Sequence, residues 1–266
     1  MAAETTSIDE LTQFAIQTLR ETGSEALGYY GQGRSKLKFD EDLITQAELH
    51  LNEFFRDRLA AHYPTHSIFA GGSVDRDYTH DDKRYMWIFD PLDGVSNFSA
   101  GLPIWGMSLA LLENFWPVFG GFIMPSTGDL FYARPGNQAF HGKEALQISP
   151  QENISDESVL LTYSRFHLRF RSTFPGKILN LGCTGAHICF VAMGRAEAAF
   201  IVNESYRDLA AASIIIEAAG GEIYKLSGKK FSLNEYLDAS QAISEPFLVV
   251  PKGLYPQVRA AILETQ

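Results

Sequence analysis

Trp87-Ile-Phe-Asp90-Pro-Leu-Asp93-Gly-Val-Ser-Asn-Phe98 is the stretch of the 266-residue sequence with the most informative pattern. An apolar run that is typical of a buried strand leads into two carboxylates, at positions 90 and 93. Pro91 and Gly94 favour a turn there, and the residues after Gly94 can begin a helix. Two carboxylates beside exposed backbone N–H groups suit a hard divalent cation next to a phosphate. Asp-Pro and Asp-Gly are also ordinary turn formers, so these residues alone leave a binding site and a plain turn both open.

The composition is that of an ordinary globular protein. The residues are 45% hydrophobic and 20% charged, which excludes disordered and fibrous classes. The 32 acidic residues outnumber the 22 basic ones and leave a net charge of −10, whereas a general binder of nucleic acid needs clustered Lys and Arg. We therefore expect no nucleic-acid polymer as a partner. Cys183 and Cys189 are too few for a disulfide framework or a zinc site, and we predict two buried thiols.

Secretory signals and membrane-spanning helices both have recognisable sequence patterns. Residues 1–11 include acidic side chains and lack an apolar run, so they do not resemble a secretory signal. The most apolar stretch, residues 115–125, is interrupted by Pro117 and two glycines and is shorter than the ~20 residues of a spanning helix. We expect a cytoplasmic protein without a membrane partner.

The first half of the chain, residues 1–150, predicts two helices followed by a mainly antiparallel sheet. A capping box of Ser7 with Glu10 begins the first helix, and Gly23 and Gly28 end it. A second capping box, Thr45 with Glu48, begins the second helix. Short aromatic and branched runs then predict strands over residues 67–70, 85–89, 105–113, 117–124 and 130–133.

The second half, residues 151–266, predicts alternating strands and helices. We expect the two halves to pack as one compact unit with a cleft between them. The predicted strands cover residues 159–163, 177–181, 198–202 and 247–250, and the predicted helices lie near 165, over 186–193, over 209–219 and from 255 onward.

The segment at Asp90 resembles the signature Asp-Pro-(Ile/Leu)-Asp-Gly-Thr-(Thr/Ser)-Asn-Phe of the inositol monophosphatase family, which are magnesium-dependent, lithium-sensitive phosphatases. Upstream, residues 42–48 resemble the family's Asp-Leu-Val-Thr-x-x-Asp. Downstream, Arg207-Asp208-Leu-Ala-Ala-Ala and Glu217-Ala-Ala-Gly-Gly221 resemble Trp-Asp-x-Ala-Ala-Gly and Glu-Ala-Gly-Gly. These segments occur in order over most of the chain, which is far more specific than one motif.

This resemblance implies an α/β fold, the layered αβαβα sandwich of the inositol monophosphatase and fructose-bisphosphatase type. It also implies one or more Mg²⁺ ions, or Mn²⁺, beside a phosphomonoester, and a homodimer. The implied metal ligands are Asp90, Asp93, Asp208 and the carbonyl of Leu92, with Asp93 and Asp90 also catalytic. The implied substrate-binding residues are Gly94, Val95 and Ser96 of the phosphate loop, together with Arg207.

Several positions depart from the family pattern. Where the family has Gly-Glu-Glu, this chain has Ala70-Gly71-Gly72, and Val95 replaces the first Thr of the signature. Both groups that hold the nucleophilic water in the family are therefore absent. An inositol-contacting Glu of several members is Ile201 here, which argues against inositol phosphate. The acids that could replace the missing Glu are Asp75, Asp77 and Glu48.

Basic residues raise a further question about the substrate. Arg207 replaces a Trp of the family, and either binds an anionic group or turns outward to solvent. A basic segment could likewise meet a second phosphate of a bisphosphorylated or nucleotide ligand, or form a solvated face. Its residues are Arg165, His167, Arg169 and Arg171.

Two functions remain open at this point. One is a divergent metal-dependent enzyme that hydrolyses a small phosphomonoester other than inositol phosphate. The alternative is an impaired or inactive relative that binds a phosphorylated ligand or acts as a regulatory protein. His187 is predicted to be a core or cap residue and receives no role in either.

Overall fold

A computed structural model describes residues 6–33, 41–69, 85–149, 153–202, 204–236, 243 and 245–265. Helix α1 (Ile8–Leu27) begins at the predicted capping box, in which Ser7 and Glu10 satisfy each other's backbone N–H groups. The helix ends at Gly28 and not at Gly23, so the predicted stop at Gly23 was wrong. Gly23 is buried inside the helix, where a Cβ atom would lie 3.1 Å from Pro125 Cγ. Its lack of a side chain serves packing and does not end the helix.

Helix α2 (Glu41–His62) begins one turn earlier than predicted. Thr45 therefore lies inside the helix, and its predicted capping box with Glu48 is not the helix start. The apolar face already begins at Ile44 and continues through Ala47 and Leu51, which are all buried. Burial of that face favours helix beyond the point where a local capping signal would begin it.

The first sheet has seven strands in sequential order. It is the predicted meander with two additional strands at its end. All neighbours are antiparallel except the first pair, which is parallel. The strands are β1 (Ser67–Ile68), β2 (Tyr85–Asp93), β3 (Gly106–Glu113), β4 (Trp116–Met124), β5 (Asp129–Ala133), β6 (Ala139–His141) and β7 (Glu144–Leu146), and the short helix α3 (Val95–Ala100) connects β2 to β3.

The second half follows the predicted alternation, and it contains three further strands that the prediction missed, at residues 170–172, 221–225 and 262–264. Its elements are β8 (Val159–Thr162), α4 (Phe166–Arg169), β9 (Phe170–Ser172), β10 (Lys177–Leu179), α5 (Thr184–Ala192), β11 (Ala198–Ile201), α6 (Tyr206–Ala218), β12 (Gly221–Lys225), a 3-10 helix (Leu233–Tyr236), β13 (Phe247–Pro251), α7 (Tyr255–Ala260) and β14 (Ile262–Glu264). Five of the strands form a mixed sheet in the order β10-β8-β11-β13-β12, and β9 pairs with β14.

These elements stack in five layers. Helices α1 and α2 cover one face of the first sheet, where Leu19 and Phe55 join a cluster with Trp87. Helices α5 and α6 lie between the two sheets, in a cluster that includes Phe122 and Ile215. Helices α4 and α7 cover the far face of the second sheet through the third cluster. The predicted layered α/β fold is thus confirmed, while the division at residue 150 stays a prediction.

No helix in the described ranges is both long and apolar enough to cross a bilayer.

Gly120 allows α6 to lie close to β4. A Cβ atom at this position would lie 2.6 Å from the carbonyl oxygen of Ala211 and 2.9 Å from Ile214 Cβ. We therefore expect Gly120→Ala to lower the free energy of unfolding by about 2 kcal/mol, because backbone on one side cannot yield without moving the helix. Urea denaturation measures this change. Gly28→Ala, at φ −64°, is the control and should change stability by less than about 1 kcal/mol. Equal stability of the two variants would contradict the close approach.

Candidate functional site

Both aspartates of the signature lie on β2, at an irregularity in its pairing with β3. Asp90 is opposite Ser108 and Asp93 is opposite Gly106, so two residues of β2 face one residue of β3. The prediction that Pro91 and Gly94 together force a turn was therefore half right. Pro91 lies within the strand at the bulge, where a missing N–H group is tolerated, and the chain turns only at Gly94.

Position 94 needs a glycine, because of both its backbone conformation and the atoms packed around it. Its φ is +83°, and a Cβ atom would lie 3.0 Å from the Ile104 carbonyl oxygen and 3.1 Å from Cys183 Cβ. Helix α3 follows at once, and Asn97 from this helix donates to the carbonyl of Leu181 at 2.7 Å. The signature is therefore tied directly to the loop that precedes α5.

Asp93 is held by the N-terminus of α5. Its Oδ1 accepts the N–H of Thr184 at 3.1 Å, and its Oδ2 accepts the N–H of Gly185 at 2.5 Å. These are N–H groups that the helix itself leaves without partners, and the helix dipole favours a negative charge there. Sequence reasoning proposed Asp93 as a ligand but did not foresee that α5 would fix both of its oxygens.

Asp208 lies in the first turn of α6 and takes part in a capping box. Its Oδ2 accepts the N–H of Ser205 at 2.6 Å, and the Ser205 Oγ accepts the Asp208 N–H at 3.2 Å. Asp208 is thus both a helix-capping residue and a neighbour of the β2 aspartates.

The three aspartates share one electrostatic environment. Burial raises the pKa of Asp90 well above its ordinary value, and the charges of Asp208 and Asp93 raise it further. Burial, with a contribution from Asp208, raises the pKa of Asp93 to about 6 despite its hydrogen bonds. Arg207 acts in the opposite direction and lowers the pKa of Asp90. Burying like charges together is costly, so this arrangement favours a bound cation.

Glu204 is a further acid near this cluster, and sequence reasoning missed it. Its Oε1 accepts the Thr184 hydroxyl at 2.8 Å, and Ile243 N–H donates to its backbone carbonyl. Burial raises the pKa of Glu204, and so do the charges of Asp208, Asp93 and Asp90. The sequence feature that could have identified Glu204 is its position just before Ser205, which caps the helix that carries Asp208.

Glu48 on α2 faces Arg207. Burial raises the pKa of this half-buried carboxyl, and the charge of Arg207 lowers it. Of the three proposed replacements for the missing acid, only Glu48 is described, because Asp75 and Asp77 lie outside the described residues, as do Gly71 and Gly72. Within the described ranges, no three His, Cys, Asp or Glu side chains converge closely enough to hold one ion.

A cavity of about 360 Å³ opens beside the aspartates. Its wall combines polar and apolar groups, and no Lys or Arg is among the described residues that line it. Ser96 and Ile201 from the predicted site contribute to the wall, together with Tyr163, Asn180, Thr184 and Glu204.

The remaining predicted residues lie elsewhere. The four basic residues at 165, 167, 169 and 171 are exposed, and none lines this cavity. His187 is buried, its Nε2 accepts the Leu181 N–H at 3.0 Å, and burial lowers its pKa to about 4. It is a core residue, which is one of the two roles that the sequence predicted, whereas the N-cap residue of α5 is Cys183. Cys183 and Cys189 are the expected buried free thiols.

The raised pKa values predict how the metal-free protein responds to pH. Asp93 titrates near 6 when folded and near ~4 when unfolded, so the folded form binds its proton more tightly. The stability that protonated Asp93 contributes is then fully present below about pH 4 and is lost as the pH rises through about 6, by roughly 3 kcal/mol. Thermal unfolding in chelator between about pH 7.5 and about pH 5 measures the change. The gain on acidification should shrink in Asp93→Asn, and an identical profile in that variant would contradict the assignment.

A sequence model of the inositol monophosphatase family matches residues 7–245. The chain belongs to the inositol monophosphatase family. A histidinol-phosphatase of Chlorobaculum parvum is 29% identical over 228 residues, covering 82% of this chain and 86% of the relative. A fructose-1,6-bisphosphatase/inositol-1-monophosphatase of Thermotoga maritima is 27% identical, covering 82% and 85%. Among solved structures, an inositol monophosphatase of Thermotoga maritima superposes with a TM-score of 0.76 at 25% identity, covering 95% of this chain and 96% of that one. The fold and the family expected from the signature are therefore confirmed.

Proposed function

We propose that this family member is a metal-dependent phosphomonoesterase that acts on a small phosphorylated metabolite other than inositol phosphate. The observation that carries the proposal is the group of three neighbouring aspartates at positions 90, 93 and 208. Burial raises the pKa values of Asp90 and Asp93, and repulsion within the group raises them further. A divalent cation would neutralise this excess negative charge.

The donor chemistry of the site fits magnesium. Carboxylate and carbonyl oxygens are the ligands that Mg²⁺ prefers, and Mn²⁺ accepts the same set. We propose Asp90, Asp93, Asp208 and the Leu92 carbonyl as the ligands of one or more ions, with no single ion held by all three carboxylates, since in the described ranges no three such side chains converge on one point. When bound, such an ion neutralises phosphate oxygens and lowers the pKa of a coordinated water.

The phosphate would lie at the end of β2. We propose that Gly94, Val95 and Ser96 bind it, as the family signature implies, and that Arg207 assists from α6. Arg207 is half-buried, and its charge already acts on Asp90 and Glu48. A guanidinium in this position can hydrogen-bond a phosphate oxygen.

The alcohol part of the substrate would occupy the cavity. Ile201 lies in its wall where several family members have a Glu, which supports a substrate other than inositol phosphate. The exposed basic residues at 165–171 give no support to a second phosphate, because none of them lines the cavity.

A non-hydrolytic binding protein is the second candidate. Val95 favours it, because this side chain lacks the hydroxyl of the family Thr and packs against the apolar cluster under α1 and α2. As a binding protein, the chain would keep its ligand pocket but would not activate water.

Phosphate release decides between the two candidates. The panel contains sugar, inositol, nucleotide and amino-alcohol phosphomonoesters, each with Mg²⁺, Mn²⁺ or chelator, and Asp93→Asn serves as the blank. Metal-dependent release above the blank supports the enzyme and identifies its substrate class. No release above the blank, together with saturable binding of a phosphate ester, supports the binding protein.

Assembly and location complete the proposal. We propose a homodimer, which size-exclusion chromatography with light scattering would test. We also propose a cytoplasmic location, supported by two cysteines that stay free and buried, as is typical of reducing compartments.

A further inference from the structure

We propose that Glu204 is a specificity-determining residue that selects phosphomonoesters whose alcohol part carries an ammonium group. This inference rests on the proposed function, since it concerns the cavity beside the proposed phosphate site. It commits to a substrate class, amino-alcohol phosphates, that the charge pattern of the cavity favours over bisphosphates and uncharged polyols.

The first argument is the position of Glu204. Thr184 donates its backbone N–H to Asp93 Oδ1 at 3.1 Å and its hydroxyl to Glu204 Oε1 at 2.8 Å. One residue therefore connects the proposed metal site to Glu204. Glu204 lines the cavity, whereas the three aspartates do not. A ligand with its phosphate at Asp93 would thus extend its alcohol part toward Glu204.

The second argument is that Glu204 is held in place and that one of its two carboxylate oxygens is available to a ligand. Its backbone forms an isolated bridge with Ile243, and Thr184 orients its side chain. Among the described residues, none donates a hydrogen bond to the second carboxylate oxygen, Oε2. A partly buried carboxylate with a free oxygen in a cavity wall is ready to accept from a ligand.

The third argument is the charge of the wall. Glu204 is acidic, the described lining contains no Lys or Arg, and burial lowers the pKa of His187 to about 4, which leaves this imidazole neutral near pH 7. Burial and the charges of the neighbouring aspartates raise the pKa of Glu204, so an ammonium beside this carboxyl would favour its ionised form, whereas a second phosphate would oppose it. An ammonium adds a charge-assisted hydrogen bond that a hydroxyl cannot match.

The test compares two esters that differ in one group. In 2-amino-3-hydroxypropyl phosphate, an ammonium replaces the 2-hydroxyl of glycerol 1-phosphate. We expect kcat/KM to be at least about tenfold higher for the amino ester, as one charge-assisted hydrogen bond allows. In Glu204→Gln the ratio should fall to about one, because the amide keeps an acceptor for Thr184 but loses the charge. Glu144→Gln, on the exposed strand β7, makes the same charge change and should leave the ratio unaltered.

A second measurement keeps this inference separate from hydrolysis. The corresponding phosphonates carry a P–C bond that cannot be hydrolysed, and calorimetry gives their dissociation constants in the same variants. Equal affinity of the unmodified protein for both phosphonates, or a preference that persists in Glu204→Gln, overturns the inference. Metal-dependent release without preference for the amino ester overturns only the role of Glu204. A preference in phosphonate binding without any release supports Glu204 and overturns the proposed hydrolysis.

Discussion

Asp93→Asn is expected to lower metal-dependent phosphate release by about a thousandfold or more, equivalent to ~4 kcal/mol of transition-state stabilisation. The substitution removes a negative charge that would help to hold a cation and places an NH₂ group against a helix N-terminus. One of the two N–H donors from Thr184 and Gly185 then faces another donor. Relief of the buried charge offsets this loss, so the fold should persist.

Three measurements separate the loss of activity from a loss of structure. Thermal unfolding in chelator shows whether the fold persists. Phosphate release at saturating Mg²⁺ gives the activity, and calorimetry with Mn²⁺ gives the affinity for the ion. Asp57→Asn, an exposed position on α2, is the matched control and should behave like the unmodified protein. Activity of Asp93→Asn within about tenfold of the control would exclude Asp93 from the catalytic site.

Rebuilding the water-activating groups is expected to produce the second largest effect. Gly71→Glu combined with Val95→Thr should raise kcat by about a hundredfold, the lower end of what a positioned general base contributes. Val95→Thr keeps the side-chain shape but places a hydroxyl beside an apolar cluster, so we expect it to cost about 1 kcal/mol of stability.

The single variants and the double variant form a cycle measured on the best substrate of the panel. Neither single substitution should recover the full gain, because the carboxylate and the hydroxyl act on one water. Gly72→Glu is the control, because it places the same carboxylate one residue further along the chain. It tests which of the two glycines corresponds to the family Glu. If the double variant is no faster than the unmodified protein, the chain already supplies its own acid, and Glu48 is the described candidate.

Local signals in the sequence were sufficient where neighbouring residues decide the structure. The capping box at Ser7 located the start of α1, and short apolar runs bounded by turn residues located the strands of the meander. Local signals failed where tertiary packing decides. Gly23 continues a helix because Pro125 lies against it, and β12 forms after Gly220 because β13 pairs with it.

The candidate site shows the same division. Asp90, Asp93 and Asp208 were proposed because they lie in contiguous motifs that resemble those of the family. Glu204 belongs to no motif, and the family position with a comparable role is Ile201 here. Its partner Thr184 is 20 residues away, and only the fold brings the two together. For the basic residues at 165–171 the sequence left a second phosphate and a solvated face both open, and their exposure outside the cavity agrees with the solvated face.

The hydrogen bonds to Asp93 also determine whether the signature segment would keep its geometry in another protein. They come from residues 91 and 92 positions further along the chain, in a different half of the fold. A protein engineer who transplanted Asp90–Phe98 into another scaffold would move the carboxylates without the helix end that orients them. In this protein, folding overcomes the entropic cost of closing a loop of about 90 residues and thereby brings the two N–H donors to Asp93. A short graft avoids that cost but lacks the two donors. The transferable unit is therefore β2 together with α5, two segments that any new host must hold at the same separation.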